Sequence, residues 1–514
     1  MVIKKHFWFI LPLIFLSLFA LKTFFTPEYF DGHDAQAHLV RLWQYDKAVK
    51  DGQFPPKWAG DLLAGRGYPV FIFTYQLPYA IAESFHLIGF SLPVAIKLTL
   101  IFSYLLSTLT MYVFANLYFK SRLSGFISSL LWSWAPFIFV KIFITASLGV
   151  VVSYIFIPLT FLFLYQTLLK PNYKYSLLLA LSLSAWILSH LGTLIIFTPL
   201  LLLFFLFHFN QKSIKYLFSS ALIALGLSSW YLIPLLTLNQ FTHYQQFVIH
   251  QYADQFVSLK RLLYSKWGTG IPNQSNQALS QQVGLAQWLA VLISFIILPA
   301  RSVLAGRKAW PFLISFGFSI FFMLSISMFI WDVISPLQVV STPWRFLSLS
   351  VFSSAILAGF VIKNIKTHLL KLGLFLFLVT LTLYANRNHL RINETVSYNQ
   401  EFFNSYTGVA TGWNEHLPIW VKDTPNSFPK SKVELISGDC QIADLITKSN
   451  LTSFTADCSK DSVIQINTAY FPGWFVYVNN QNITNQVKQN RDSSNGMIRF
   501  NLNPGNYQVS SSFK

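Results

Sequence analysis

Charge is scarce in this chain. Asp, Glu, Lys and Arg make up 11% of its 514 residues, against about 25% in soluble globular proteins. That shortage excludes an ordinary soluble domain. Acids are scarcer than bases, 19 against 37, which leaves a formal charge of +18. The excess is not a nucleic-acid footprint, because the Lys and Arg residues fall in short clusters between apolar runs, as the positive-inside rule predicts for a membrane protein. No P-loop and no Gly-x-Gly-x-x-Gly opening a helix occurs, which excludes a soluble nucleotide-binding fold. Cysteine is almost absent. Cys440 and Cys458, the two present, can form a disulfide on an oxidising face, although two cysteines show no spacing pattern.

What is abundant is apolar length. Runs such as Phe7–Ala20, Leu98–Phe119 and Leu372–Leu383 recur in a chain that is 54% hydrophobic, and about 20 such residues span a bilayer. Spans are expected near 7–25, 94–118, 123–140, 148–168, 175–190, 193–208, 216–236, 284–299, 311–330, 345–361 and 368–385, about eleven helices in all. The first run follows Lys4 and Lys5 but lacks a small-residue cleavage site, so a retained anchor is expected. With the N-terminus in the cytoplasm, the inner loops hold Lys120/Arg122, Lys170/Lys174, Lys212/Lys215, Arg301/Arg307/Lys308 and Lys363/Lys366/Lys371. None of these loops contains an acid, and all 19 acidic residues fall on the outer side or its edge. The expected fold is therefore an all-α polytopic membrane domain over 1–386, followed by a small extracytoplasmic β-rich domain over 387–514. Its place is the cytoplasmic membrane, N-in and C-out.

The outer loop 26–93 stands out. Glu28, Asp31, Asp34, Asp46, Asp51 and Asp61 crowd into it. Leu77–Phe90 is apolar but short, begins beside Pro78 and carries Glu83 and His86. Counted as a span, it would turn every later basic loop outward, so a helix lying on the outer surface is expected. Asp34–Lys50 is expected as a second juxtamembrane helix. Its apolar stripe is Ala35, Leu39, Leu42 and Val49, and Asp34, His38 and Arg41 share another face. A second outer loop, 237–283, is long and polar and includes His243, His250, Asp254, Lys260, Arg261, Lys266 and Trp267. Loops of that length tend to be functional. Beyond Tyr384 the chain turns polar, with alternating strand patterns at Ser462–Thr468, Trp474–Val478, Met497–Leu502 and Tyr507–Ser511, the last two joined by an Asn503–Asn506 turn. Four N-x-S/T triplets, at Asn273, Asn393, Asn450 and Asn482, are chance features of an Asn-rich chain.

An acid cluster beside membrane helices suits chemistry on a lipid-borne substrate. Asp34 or Asp31 can take a proton from an acceptor hydroxyl as general base. Arg41, Lys57, Arg66, Arg261 and Arg345 lie on the same expected face, and Arg grips phosphate bidentately. Other readings stay open. Asp31 can be the N-cap of the following helix with Asp34 at its third position. His33 and His38 can join Asp34 as ligands of a divalent cation, although no metal or other cofactor is required. Trp344 and Arg345 can be an interfacial anchor, and His190 a satisfied interface histidine.

Several short motifs run through the chain in order. Asp34 and His38-Leu39, followed by Arg41, form D-x-x-x-H-L. Gly52, Pro56 and Trp58 follow, with Lys57 where Arg is usual. Then come Gly65, Gly67, Tyr68 and Pro69, and Phe73, Tyr75, Leu77, Pro78 and Tyr79, with Gln76 in place of a Pro. Later stretches are Ser265–Gly270 (SKWGTG), Pro343-Trp344-Arg345-Phe346, Glu415-His416-Leu417-Pro418 and Tyr470–Val478 (YFPGWFVYV). The run Asp31–Tyr79 resembles the first outer loop of the GT-C-fold glycosyltransferases, polytopic enzymes that take a sugar from a polyprenyl-phosphate carrier. The whole set is most similar to a prokaryotic membrane family labelled as 6-pyruvoyl-tetrahydropterin synthase-related; nothing here points to pterin chemistry. One departure stands out. Where that family carries R-G-x-x-x-E after the third span, this chain reads Thr145–Gly149 (TASLG), without an acid.

The resemblance implies a membrane glycosyltransferase that moves a sugar from a polyprenyl-phosphate donor to an extracytoplasmic glycan, lipid or polymer of the cell envelope. Asp34 or Asp31 would be catalytic. His38, Arg41, Lys57, Trp58, Arg66, Tyr68, Tyr75, Trp267, Arg345 and Glu415 would bind substrate. The competing expectation is a membrane scaffold or a lipid or polymer translocator. The near absence of charge inside the spans speaks against translocation.

Overall fold

The computed structural model describes residues 2–244, 246, 252–271, 277–300, 306–412 and 414–514. His250, Asn273 and Arg301 lie outside them. The chain forms two compact units. One comprises Met1–Ala35, Ala80–Ser229 and Ile249–Ser397, the other Gln36–Tyr79, Trp230–Val248 and Tyr398–Lys514.

The first unit is helical. Among the described residues five helices are long and apolar enough to cross a membrane: Leu92–Phe119, Leu148–Leu169, Gln211–Phe241, Pro343–Asn364 and His368–His389. Two bent pairs bring the total to seven: Arg122–Ser133 with Pro136–Ile144, bent by 48°, and Trp310–Met323 with Ser325–Val333, bent by 88°. The single spans expected at 123–140 and 311–330 are thus broken ones. Pro136 removes a backbone donor and forces the first break, and Leu324 in extended conformation makes the second. Shorter apolar helices are His6–Ala20, Leu191–Phe207 and Leu285–Ile297.

Local chemistry sets the helix ends. Ser121 and Asn172 accept the N–H groups of Ser124 and Tyr175 as N-caps. Lys120 closes Leu92–Phe119 in the left-handed region, at φ 51°. Between helices, buried hydroxyls pair across the packing surfaces: Ser176 with Ser220 at 3.1 Å, Ser184 with Ser228 at 3.0 Å, Ser319 with Ser350 at 2.7 Å and Tyr154 with Ser348 at 3.0 Å. Small hydroxylated residues allow this close approach and satisfy one another where water is absent.

A two-stranded ribbon, β1 (Tyr29–Phe30) against β2 (Thr395–Val396), is antiparallel. It joins the segment after the first helix to the segment after the last.

The second unit contains the β-rich C-terminal region. A three-stranded sheet runs β3 (Val433–Ser437), β6 (Ser462–Ala469), β9 (Met497–Leu502). A five-stranded sheet runs β4 (Cys440–Lys448), β5 (Leu451–Cys458), β10 (Gly505–Phe513), β7 (Trp474–Val478), β8 (Gln481–Asn482). Every pairing is antiparallel. In β5, alternate residues are buried, including Phe454, Ala456 and Cys458. This is the two-residue period of a sheet with one face covered. The expected strands match β6, β7, β9 and β10. Cys440 and Cys458 are register partners across β4 and β5 and form a disulfide.

The helix expected over Asp34–Lys50 spans Ala35–Lys50. Its burial differs from the expected stripe. Ala35, Leu39 and Leu42 are buried, but so is His38, at 2% exposure. On the polar face His38 is covered and bonded to Tyr79, whereas Arg41 is half-buried.

Candidate functional site

In the helical unit, the turn before this helix is held from three sides. The Asp31 N–H donates to the Glu394 carbonyl at 2.9 Å, and Asn393 Nδ2 donates to Asp31 Oδ2 at 3.3 Å. The His33 N–H donates to the Ile144 carbonyl at 2.8 Å and the Asp34 N–H to the Thr145 carbonyl at 3.3 Å. His33 Nε2 meets the Thr269 carbonyl at 2.7 Å. Gly32 allows this close approach, since a Cβ would come within 3.1 Å of the Ile144 carbonyl oxygen and 3.2 Å of Ala146 Cβ. The acid-free stretch 145–149 is therefore the seat on which the first loop rests. Asp31 does not cap the helix. Its carboxylate is engaged by Asn393, and Asp34 occupies the place just before the first helical residue. The Asp34 side chain is exposed.

Beneath this turn, Val140–Ile144 forms a π-helical turn, a distortion frequent at functional sites. It carries Lys141, which is 3% exposed. The ammonium has no hydrogen-bond or ion-pair partner among the described residues. It lies over the Trp344 ring at 4.3 Å and the Phe137 ring at 5.3 Å. Arg345 and Asp34 both act on it electrostatically, and His190 feels Arg345 and Lys141 in turn. Arg345 donates through Nη1 to the Val340 carbonyl at 2.7 Å. His190 caps the helix Leu191–Phe207 by accepting the Thr193 N–H at 3.0 Å. The Lys141 amine thus feels one exposed carboxylate, Asp34, and one guanidinium, Arg345. Sequence reasoning did not single out Lys141; His190, expected as a satisfied interface histidine, is satisfied by the Thr193 N–H. A lysine deep in a broken span whose other charge, Arg122, sits at its first residue was the available signal.

The second unit gathers His38, Arg41, Tyr68, Tyr75 and Glu415. His38 Nδ1 meets the Tyr79 hydroxyl at 2.7 Å, and Arg41 donates through Nε to the Ala410 carbonyl at 2.8 Å and through Nη1 to Tyr79 at 3.4 Å. Tyr75 and Tyr79 stack with centroids 5.9 Å apart. The Tyr68 hydroxyl accepts the His416 N–H at 2.9 Å and meets Thr411 Oγ1 at 3.3 Å. The His416 ring lies between Phe73 at 4.6 Å and Tyr244 at 5.6 Å. Burial works against the charge of Arg41, but Tyr79, Tyr75 and Glu415 outweigh it and hold the guanidinium protonated. Burial, helped by Arg41, drives His38 well below its ordinary value. Burial also pushes His416 down to about 4 against the opposing pull of Glu415. Both imidazoles are neutral at pH 7.

The remaining candidates scatter. Trp58 is 1% exposed, packed between Trp474 at 5.4 Å and Phe513 at 5.1 Å, so it offers no face to a sugar. Arg66 ties down the Ser427 carbonyl at 2.8 Å. Lys57 is exposed beside an apolar cavity of about 350 Å³ lined by Phe71, Ile72, Trp230 and Phe475. Trp267 lines a separate cavity in the helical unit. Among the described residues, no three His, Cys, Asp or Glu side chains gather as a metal site would require. The proposed ligand trio of His33, Asp34 and His38 does not assemble, because His33 is bonded to Thr269 and His38 to Tyr79.

These features define a helical protein with five to seven candidate membrane spans among its described residues and a β-rich C-terminal region. The cryo-EM structure of the arabinofuranosyltransferase AftD from Mycobacteria is similar to it, with a TM-score of 0.50 at 13% identity over 77% of this chain. A structure of a mutant form of AftD aligns with a TM-score of 0.46 at 12% identity over 75% of this chain. This chain spans 28% of the length of AftD. An uncharacterized protein of Lactococcus lactis subsp. cremoris is 24% identical over 213 residues, 41% of this chain and 35% of the relative. No family model matches the chain.

Proposed function

We propose that this chain is an inverting membrane glycosyltransferase whose donor is a sugar linked to a polyprenyl phosphate and whose acceptor is a glycan, lipid or polymer of the cell envelope. The observation that supports this reading is the exposed Asp34 carboxylate, whose charge acts on the buried Lys141 amine together with that of Arg345. In the proposed step, Asp34 takes the proton of an acceptor hydroxyl as its oxygen attacks the anomeric carbon. The bond from that carbon to the phosphate oxygen breaks, and the phosphate leaves with the electron pair. Lys141 and Arg345 stabilise the charge that grows on it, and preorganised cations in a dry site are worth far more than in water. Asp31, tied to Asn393, positions the loop.

Arg41 is assigned a positioning role instead of phosphate binding, because its Nε and Nη1 engage Ala410 and Tyr79 within the second unit. His38, Tyr68, Tyr75 and Glu415 share that role. The motif likeness to the 6-pyruvoyl-tetrahydropterin synthase-related family supports the reading. An arrangement of eleven spans, N-in and C-out, is proposed from the charge partition, and a Cys440–Cys458 disulfide fits an oxidising outer face.

The test is Asp34→Asn and Asp34→Ala in purified protein, with thermal stability and turnover of a panel of polyprenyl-phosphate sugars. General-base catalysis predicts a loss of about 100-fold or more in Asp34→Asn with stability unchanged. If no donor is consumed and Asp34→Ala loses ~1 kcal/mol, as a helix cap would, the scaffold reading replaces this one.

A further inference from the structure

A cavity of about 730 Å³ opens in the helical unit between the loop 264–267 and the segment 384–391. Such a volume suits a small organic ligand. Its lining is strongly one-sided in charge. Lys266, Arg387 and Arg391 border it, and no Asp or Glu does. All three are exposed, and Lys266 and Arg391 have no hydrogen-bond or ion-pair partner among the described residues. Arg387 stacks on the Tyr384 ring at 3.8 Å, which fixes the plane of its guanidinium. Trp267 forms a second aromatic wall, edge-on to His389 at 5.0 Å. Gln282 Nε2 meets His389 Nε2 at 3.0 Å, so the imidazole accepts and the indole is braced from behind. The two strands of the cavity also reach the catalytic turn. His33 Nε2 donates to the Thr269 carbonyl at 2.7 Å, and Asn393 Nδ2 donates to Asp31 at 3.3 Å.

We propose that this cavity binds a saccharide carrying a phosphate ester, with Arg387 and Arg391 on the phosphate and Trp267 against the sugar. Two guanidinium groups match phosphate oxygens in a way that a lysine alone does not. Aromatic faces beside side-chain amides suit a ring with one apolar face and a rim of hydroxyls. The inference rests on the glycosyl-transfer reading above, and it names the acceptor side of that reaction.

The experiment uses the full chain in phosphatidylcholine nanodiscs, titrated with glucose 1-phosphate, glucose and inorganic phosphate while tryptophan fluorescence and heat are recorded. Glucose 1-phosphate is expected to bind at least 10-fold more tightly than either fragment. Arg387→Gln with Arg391→Gln should weaken it at least 10-fold with the thermal midpoint unchanged, because both side chains are exposed. Trp267→Leu should reduce the advantage over inorganic phosphate. Asp34→Asn should leave this binding intact, so loss of transfer in that variant and loss of binding in the arginine variant are separate results. The proposal is overturned if glucose 1-phosphate does not saturate the protein, if the double variant binds as well as the wild type, or if inorganic phosphate binds equally tightly. It is also overturned if phosphatidylglycerol in the nanodisc displaces the probe, which would make the cavity a lipid-headgroup site.

Discussion

Replacing Lys141 with Met should make this protein more stable and less active. Moving an ammonium out of water costs several kcal/mol even after the surroundings relax. Stacking on Trp344 at 4.3 Å and Phe137 at 5.3 Å returns about 2 kcal/mol. Asp34 is exposed, so water screens its attraction to about 1 kcal/mol or less. A deficit of about 1–3 kcal/mol remains, and an unbranched apolar side chain of similar length removes it. If the ammonium exists to meet a leaving phosphate, the same substitution should cut turnover by about 100- to 1,000-fold. Thermal unfolding followed by tryptophan fluorescence reads the first effect, and turnover with the donors named above reads the second. A third measurement ties them together. Polyprenyl phosphate at ~100 times its dissociation constant should stabilise the wild type by about 2.7 kcal/mol and the Met variant by much less. A Met variant that is less stable and still turns over would show that Lys141 is a structural cation, and the argument would fail.

Gly67→Ala should destabilise the second unit by about 3 kcal/mol, because the backbone there has φ +83° and the new Cβ would lie 2.2 Å from Trp58 Nε1; an unaltered unfolding midpoint would refute this. The His416 imidazole is held at about 4 in the fold against about 6.5 when unfolded, so the unfolded chain binds the extra proton. Stability from this group is complete above about pH 6.5 and is lost as pH falls toward 4, by up to about 1.4 kcal/mol per unit. His416→Phe should flatten that slope in a pH series of unfolding midpoints. Cys440→Ser with Cys458→Ser reopens a link across a separation of 18 residues, a loss of about 3 kcal/mol by loop entropy. Reduction of the native protein should mimic it.

The charge partition and the period of apolar runs announced membrane helices, and the two-residue alternation of 462–511 announced β6, β7, β9 and β10. Both patterns are local, so a single sequence carries them. Breaks were harder. Pro136 gave notice of one, but the kink at Leu324 arises from packing and leaves no mark in composition. The site was half visible for the same reason. Asp31, Asp34 and Arg345 stood out as charged residues at span ends. Lys141 and His190 join them only because the chain returns to the same place more than 100 residues after Asp34, which no local pattern encodes. Trp58 misled because a conspicuous aromatic beside a polar loop looks like a sugar platform until Trp474 and Phe513 are seen to cover it. His38 misled similarly, since helical spacing reports a shared face but not what lies against it.

The ribbon of β1 and β2 has a bearing on biosynthesis. Asp31 is held by Asn393, 362 residues later in the chain, and Phe30 is paired with Thr395. A ribosome therefore delivers the turn that carries Asp34 early, and its clasp only after the helix His368–His389 has been made. Until that moment the turn lacks one of its three supports. A nascent chain that ends before Asn393 would carry Asp34 on an unclasped loop, so the geometry around that carboxylate is complete only when the two ends of the helical unit have both been made.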